Sequence, residues 1–435
     1  MAFIGKQKIV NGQKGGSLIE TKVSIILTSY NKPRLLEQAI ESVLNQTMKE
    51  WELWIMDDHS NIETVQTIQR YLEDPRIMYR NSGIEDEKRY QTTRYATMIN
   101  EAIPLIKGNY LTYLTDDTVY MPNRLEEMVT FLERNSGIDI VYSSQQVKIV
   151  NDQMSCLKEF TREAEEILFH AADEVDHCSV MHTRKILIQV WEKFGSYWDE
   201  DPKHWCRGDA VFWQRLNTFQ SFYPIPKVLD ITYKTPQSVQ TLFRNLPATL
   251  PDGILVKGTE GYVYLMDNGQ RRLLDPTMFT FYHYNPGKIV DIPDPVLYRH
   301  EEGIPIDDQL QLPPFRLYQD DRGNLFYMEH RWKRRITSPI LLRKYRFLQR
   351  EIIPLKEKIL NEFPLGPEID PYFIKPLLEN KVYKNHTNYW FVTNHSPHPI
   401  DKKVLERLKM NQDPIPIPKN IIQAYKKSTL IVGGY

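Results

Sequence analysis

The sequence predicts an α/β protein, built on a doubly wound, mixed and mostly parallel sheet and followed by a β-rich repeat region. Three observations carry this. Strand-like apolar runs alternate with helix-spaced stripes from Val23 onward. Two of those runs stop abruptly at paired carboxylates, Asp57-Asp58 and Asp116-Asp117. Past a proline-bearing linker at 246–253 the composition shifts, and a unit of about 60 residues recurs in three diverged copies.

The elements follow in order. Val23 to Ser29 is a β-rich run; Pro33 then suits a first helical turn, with Leu36, Ile40, Val43 and Leu44 on one stripe. Trp51 to Met56 is a second strand, and Ile62, Val65, Ile68 and Leu72 repeat at helical spacing after it. Ala96, Ile99 and Ile103 mark another helix, and Tyr110 to Thr115 another strand. Pro122 opens a helix that turns Leu125, Met128, Val129 and Leu132 inward, and Ile138 to Tyr142 reads as a strand. Such alternation means crossovers between neighbouring parallel strands. Residues 150–245 are irregular and aromatic, and Pro247 and Pro251 mark the linker.

The first repeat holds Gly261 to Arg272, the second Gly323 to His330 with Lys333-Arg334-Arg335, and the third, weaker, Asn388 to Val392. Ile-Pro steps recur at Ile292, Ile353 and Ile417, and Asp267-Asn268-Gly269 is a strong hairpin signal. The expected divisions are a flexible leader at 1–21, a first domain at 22–248 and the repeat region at 252–435.

At 435 residues, two or more domains are expected. A net charge of -1 argues against a nucleic-acid or membrane-surface binder. The basic runs Arg331 to Arg335 and Arg343 to Arg346 read as solvated faces. No apolar run reaches the roughly 18–20 residues that span a bilayer. The first residues lack the apolar core of a signal peptide. Cys156, Cys178 and Cys206 form no CxxC pair, as expected of reduced thiols. The expectation is a soluble, cytoplasmic protein.

The acidic couplets carry the chemistry. A buried strand tolerates no unpaired charge, so these carboxylates emerge beyond its C-terminal end, the rim where open α/β sheets bind ligands. Two couplets on one rim can hold a nucleotide through a divalent metal. Taken singly, each is equally a solvated loop start or a helix cap.

In this order, Thr28-Ser29-Tyr30-Asn31, Asp57-Asp58-His59-Ser60 and Thr115-Asp116-Asp117 resemble glycosyltransferase family 2 with the GT-A fold. Asp176 to His182, Phe194 to Glu200 and Gly208-Asp209 are similar to the spore-coat polysaccharide glycosyltransferases of Bacillus. With its long extension, the chain resembles the spore-maturation glycosyltransferases of that group.

The resemblance spans roughly residues 22–245 and implies roles. Thr28 and Tyr30 form the nucleobase pocket, with Tyr30 stacking on the base and Asp58 accepting a hydrogen bond from it. Asp57 is left a structural part. Asp116 faces the ribose, Asp117 binds Mn2+ or Mg2+, and Lys32 and Arg89 contact the diphosphate. Asp209 is the general base, and without the resemblance it reads as a helix cap. His177 and Trp198 are acceptor-side candidates; the bland reading makes each a packed core residue. The adjacent Asp116-Asp117 pair departs from the family's Asp-x-Asp spacing.

The implied activity is metal-dependent, inverting transfer from a UDP- or dTDP-sugar to a hydroxyl acceptor, in spore-surface polysaccharide or glycoprotein synthesis. The implied setting is the mother cell, with association at the spore surface and spore-coat proteins as partners of the repeats. The rival is a non-catalytic nucleotide-binding scaffold of coat assembly.

Overall fold

The computed structural model describes residues 20–308, 311–369, 376–411, 413–425 and 428–434. The expected leader lies outside them except for its last two positions, 20 and 21. β1 (Val23–Ser29) and β2 (Trp51–Asp57) bury nearly every side chain, so both faces of the sheet must be covered. Alternate residues divide between two cores. Ile26 joins the cluster built with helices α3 (Arg94–Ala102), α5 (Arg184–Phe194) and α6 (Gly208–Asn217). Ile25 and Leu27 join the cluster built with α1 (Pro33–Leu44), α2 (Ile62–Gln69) and α4 (Arg124–Arg134). This is the doubly wound arrangement that the strand–helix alternation implies.

The remaining strands are β3 (Ile77–Asn81), β4 (Tyr110–Thr115), β5 (Thr118–Tyr120), β6 (Ile140–Val150), β7 (Cys156–Arg162), β8 (Val180–Thr183) and β9 (Tyr223–Lys234). The sheet runs β3-β2-β1-β4-β8-β6-β9-β5, with β7 paired on β6. It is parallel through β3-β2-β1-β4. Beyond β4 it is mixed: β8 is antiparallel to both β4 and β6, while β6 and β9 run parallel. Ser29 pairs with Asp57 and Thr28 with Thr115, so β1, β2 and β4 end on one rim. The cysteines stand apart as free thiols. Among the described residues no helix is long and apolar enough to cross a membrane.

After the short helix α7 (Val239–Phe243), three units follow, each a four-stranded sheet of the same order. Unit one has β10 (Leu255–Lys257), β11 (Val263–Asp267), β12 (Gln270–Leu273) and β13 (Ile289–Asp291), with helices α8 (Pro276–Phe281) and α9 (Asp294–Tyr298). Unit two has β14 (Leu317–Gln319), β15 (Leu325–Met328), β16 (Lys333–Ile336) and β17 (Ile352–Pro354). Unit three has β18 (Val382–Asn385), β19 (Asn388–Thr393), β20 (Ser396–Pro399) and β21 (Ile415–Pro416). In each, three antiparallel strands are joined at the edge by a parallel fourth.

Among the described residues no unit has a core of its own. One cluster combines Leu255, Leu265 and Leu274 of unit one with Tyr318, Phe326 and Ile353 of unit two. A second joins Leu317 and Tyr327 to Tyr383, Val392 and Ile415 of unit three. A third joins Val382, Phe391 and Val404 back to Val256, Met266 and Val290 of unit one. The units therefore close on themselves in a ring. Gly253, Phe315 and Asn380, each with positive φ just before a unit's first strand, come together. The ring is latched by Gly434, whose N–H donates to the Leu246 carbonyl at 2.8 Å.

Candidate active site

The rim residues are set by two left-handed turns. Asn31, with φ 53°, follows β1 and Tyr30; His59, with φ 58°, follows β2 and Asp58. Asparagine and histidine are among the few side chains that tolerate this region. The turns are stitched together: Asn31 N donates to Ser60 Oγ at 3.0 Å, and Asn61 N to Asn31 Oδ1 at 2.7 Å. Asn61 also caps α2, accepting from Thr64 N at 3.0 Å.

A cavity of about 570 Å³ opens on this rim. Thr28, Tyr30, Lys32, Asp58 and Arg89 line it, and so do Asp116, Asp117, His177 and Asp209. Trp198 does not. It is fully buried, with Phe212 stacked at 4.6 Å and Tyr113 edge-on at 5.3 Å, so its expected contact with the acceptor is corrected to core packing.

Asp57 is wholly buried and accepts from Tyr79 Oη at 3.0 Å and Asn81 Nδ2 at 2.6 Å, which ties β2 to β3. Asp58 is held by two arginines. Arg94 approaches its Oδ1 through Nε at 3.0 Å and Nη2 at 2.6 Å, and Arg89 Nη1 reaches Oδ2 at 2.8 Å. A carboxylate offers about four lone-pair sites, so little capacity is left for a base.

Arg89 departs from its expected part. Its Nε is taken by Asp86 at 2.7 Å and its Nη2 by the Asp58 carbonyl at 2.9 Å, and its guanidinium lies 4.3 Å from the centre of the Tyr30 ring. With its donors committed inside the protein, it supports Tyr30 rather than reaching for a diphosphate.

Beyond β4, Lys32 Nζ sits between the acidic pair, 2.9 Å from Asp116 Oδ1 and 3.1 Å from Asp117 Oδ2. Burial pushes Asp117 up, yet Lys32 and Lys234 outweigh it and hold its pKa below the usual carboxylate value. Burial dominates at Asp116 and, with Asp117 alongside, leaves its pKa raised despite Lys32. Thr115 Oγ1 and Ser238 Oγ also donate to Asp117, at 2.8 and 3.5 Å.

Two carboxylate oxygens thus converge on one cation position, an all-oxygen set suited to a hard divalent ion. Among the described residues no group of three His, Cys, Asp or Glu side chains could hold a metal. A divalent ion held there by Asp116 and Asp117 in place of the Lys32 ammonium would take its remaining ligands from outside the chain.

Asp209 lies in the first turn of α6, where the helix dipole favours a negative charge. Its Oδ1 accepts from Ala210 N at 2.9 Å, and its Oδ2 faces His177 Nδ1 at 3.7 Å. The His177 ring stacks on Tyr95 at an interplanar angle of 5°. Burial opposes charge on His177, but Cys178, Asp209 and Asp176 outweigh it and raise its pKa well above the usual value.

Sequence reasoning missed Arg94, Tyr95, Lys234, Ser238 and Asp294, which also line the cavity. Arg94 had a signal, since a buried Asp58 demands cationic partners. Tyr95 stands beside it at the start of α3, while Lys234 and Ser238 come from the irregular middle and Asp294 from the repeats, where no spacing pointed to the rim.

Residues 24–188 match glycosyl transferase family 2. Over 408 residues the chain is 43% identical to protein CgeD of Bacillus subtilis strain 168, covering 93% of this chain and 94% of CgeD. Over 237 residues it is 30% identical to the uncharacterized glycosyltransferase MJ1057 of Methanocaldococcus jannaschii, covering 53% of this chain and 76% of that protein. The S. aureus TarS crystal structure matches half of this chain and 37% of its own, at 13% identity and a TM-score of 0.38. The family match runs across β1, β2 and β4, whose ends build the cavity, and CgeD is matched almost end to end: the chain belongs to glycosyltransferase family 2.

Proposed function

We propose that the protein is a metal-dependent, inverting glycosyltransferase that moves a sugar from a UDP- or dTDP-linked donor to a hydroxyl acceptor. The observation that carries this reading is that the Asp116-Asp117 pair after β4 and Asp209 on α6 open onto one cavity. Thr28 and Tyr30 flank the base, and Asp116 and Asp117 face the ribose and the diphosphate. A bound Mn2+ or Mg2+ supplies neutralisation of the charge that develops on the departing diphosphate. Asp209 takes the proton from the acceptor hydroxyl as its oxygen bonds to the anomeric carbon and the bond to the diphosphate oxygen breaks. One displacement from the face opposite the leaving group inverts that carbon. His177 stands beside Asp209 on the acceptor side.

The resemblance to spore-coat polysaccharide enzymes supports a product at the spore surface, a polysaccharide or glycoprotein made in the mother cell. Spore-coat proteins bound to the C-terminal units would then bring enzyme and acceptor together.

The test is calorimetric titration of UDP and dTDP, with and without Mn2+, into wild type and Asp117→Ala. The expected outcome is Mn2+-dependent binding of at least one nucleotide that the variant loses. If neither nucleotide binds, the donor reading is wrong, and a nucleotide-independent scaffold takes its place.

A further inference from the structure

The C-terminal units reach into the cavity. Pro293, Asp294 and Pro295, at the start of α9 in unit one, line it together with Thr259. Asp294 is only 3% exposed. Its Oδ2 accepts from Tyr30 Oη at 2.6 Å, and its Oδ1 accepts from Thr259 N at 2.9 Å. A Cβ on Gly258 would stand 2.2 Å from that same Oδ1, so the approach requires a glycine there.

Tyr30 is consequently fixed in three ways. Its backbone N–H donates to Asp116 Oδ2 at 2.9 Å, and its ring lies against Arg89 at 4.3 Å. Its hydroxyl is pinned to a residue 264 positions further along the chain. Anchoring two parts of a chain needs only apolar contact. A buried carboxylate costs desolvation, repaid only if its partner is held in one place. Here that partner is a ring on the cavity wall, with Arg89 against one face.

We propose that unit one forms a wall of the donor site, and that Asp294 is a positioning residue holding the Tyr30 ring as a stacking platform for the base of a nucleoside diphosphate. The proposal rests on the nucleotide-sugar reading above. It gives the C-terminal units a part in donor binding, separate from any recruitment they perform.

The test titrates UDP and dTDP, and separately pyrophosphate with Mn2+, into the full chain. The proteins are wild type, Tyr30→Phe, Asp294→Ala, the double variant and Asp294→Asn, each checked by thermal unfolding. Pyrophosphate reports the metal end of the site alone, which a loss of platform geometry leaves unchanged. Each of Tyr30→Phe and Asp294→Ala is expected to weaken nucleotide binding about tenfold, and the double variant no further, because both remove one interaction. Asp294→Asn stays within about twofold, since its amide oxygen keeps the Thr259 N–H and its amide N–H donates to the Tyr30 hydroxyl oxygen, which still pins the ring.

Losses that multiply in the double variant overturn the proposal. So does a folded Asp294→Ala with wild-type nucleotide affinity, or an equal loss for nucleotide and pyrophosphate, which would make Asp294 an interface anchor only. If Asp294→Ala does not fold, Tyr30→Phe decides: nucleotide affinity unchanged from wild type refutes the platform. A wild type that binds neither probe removes the nucleotide-sugar reading and this inference with it. A wild type that binds nucleotide but shows no coupling removes this inference alone.

Discussion

At the scale of single residues, the site depends on where each carboxylate's oxygens are spent. Asp58 is consumed by two arginines and Asp116 shares a lysine with Asp117, whereas Asp209 keeps one oxygen towards His177. Its other oxygen takes the Ala210 N–H, a bond that an amide oxygen also makes. Asp209→Asn should therefore fold and bind nucleotide as wild type, while transfer falls by about 10²–10⁴-fold, the usual contribution of a general base. Donor turnover measured beside a nucleotide titration checks this. Unchanged turnover would take Asp209 out of the mechanism.

At the scale of elements, the polar interior between β6, β8 and β9 stands out. Asp230 on β9 has no exposed surface and accepts from Gln145 Nε2 at 2.6 Å, with Arg124 Nε at 3.9 Å. Burial, only partly offset by Arg124, raises its pKa to about 6. Between its unfolded value near 4 and about 6, the folded state holds a proton that the unfolded chain has lost, so this group's contribution to stability falls as pH rises. The stability of wild type relative to Asp230→Asn should drop by about 2 kcal/mol from pH 4 to pH 6.5, most of the two units at 1.36 kcal/mol each. Urea unfolding of both proteins across that range measures it, and a flat difference would contradict the raised pKa.

The same region marks the limit of what the sequence shows. β1, β2, β4 and the helices between them are legible because each strand is a continuous apolar run and each helix has one stripe. β9 escapes notice, since Pro224, Pro226 and Lys227 break its apolar pattern and its partners, β6 and β5, are distant in sequence. The site follows the same rule. The residues that end β1, β2 and β4 stand out in the chain; Ser238 and Asp294 reach the cavity only through tertiary packing.

At the scale of the whole molecule, stability depends on the closure of the three C-terminal units. Gly253 has φ +82°, and a Cβ there would lie 2.1 Å from Asn380 Nδ2 and 2.6 Å from Phe315 Cδ2. Gly253→Ala should cost about 2–4 kcal/mol, from backbone strain together with overpacking. Denaturant unfolding checks this, and a loss under 1 kcal/mol would mean that the junction relaxes freely. The β-rich character of this region is legible in Asp267-Asn268-Gly269 and its flanking strands. The closure is not, because it lies in contacts between units and in the Gly434–Leu246 latch.

That closure also limits how the architecture can change over evolutionary time. An open stack of repeats gains or loses a member at either end, since each repeat contacts only its neighbours. Here every interface is already occupied, and the last unit returns to the first. A fourth copy would have no surface to bury against, and losing one would expose two half-cores at once. A change of copy number has to reopen the ring, a cost that drift within units and insertions in the joining loops do not carry.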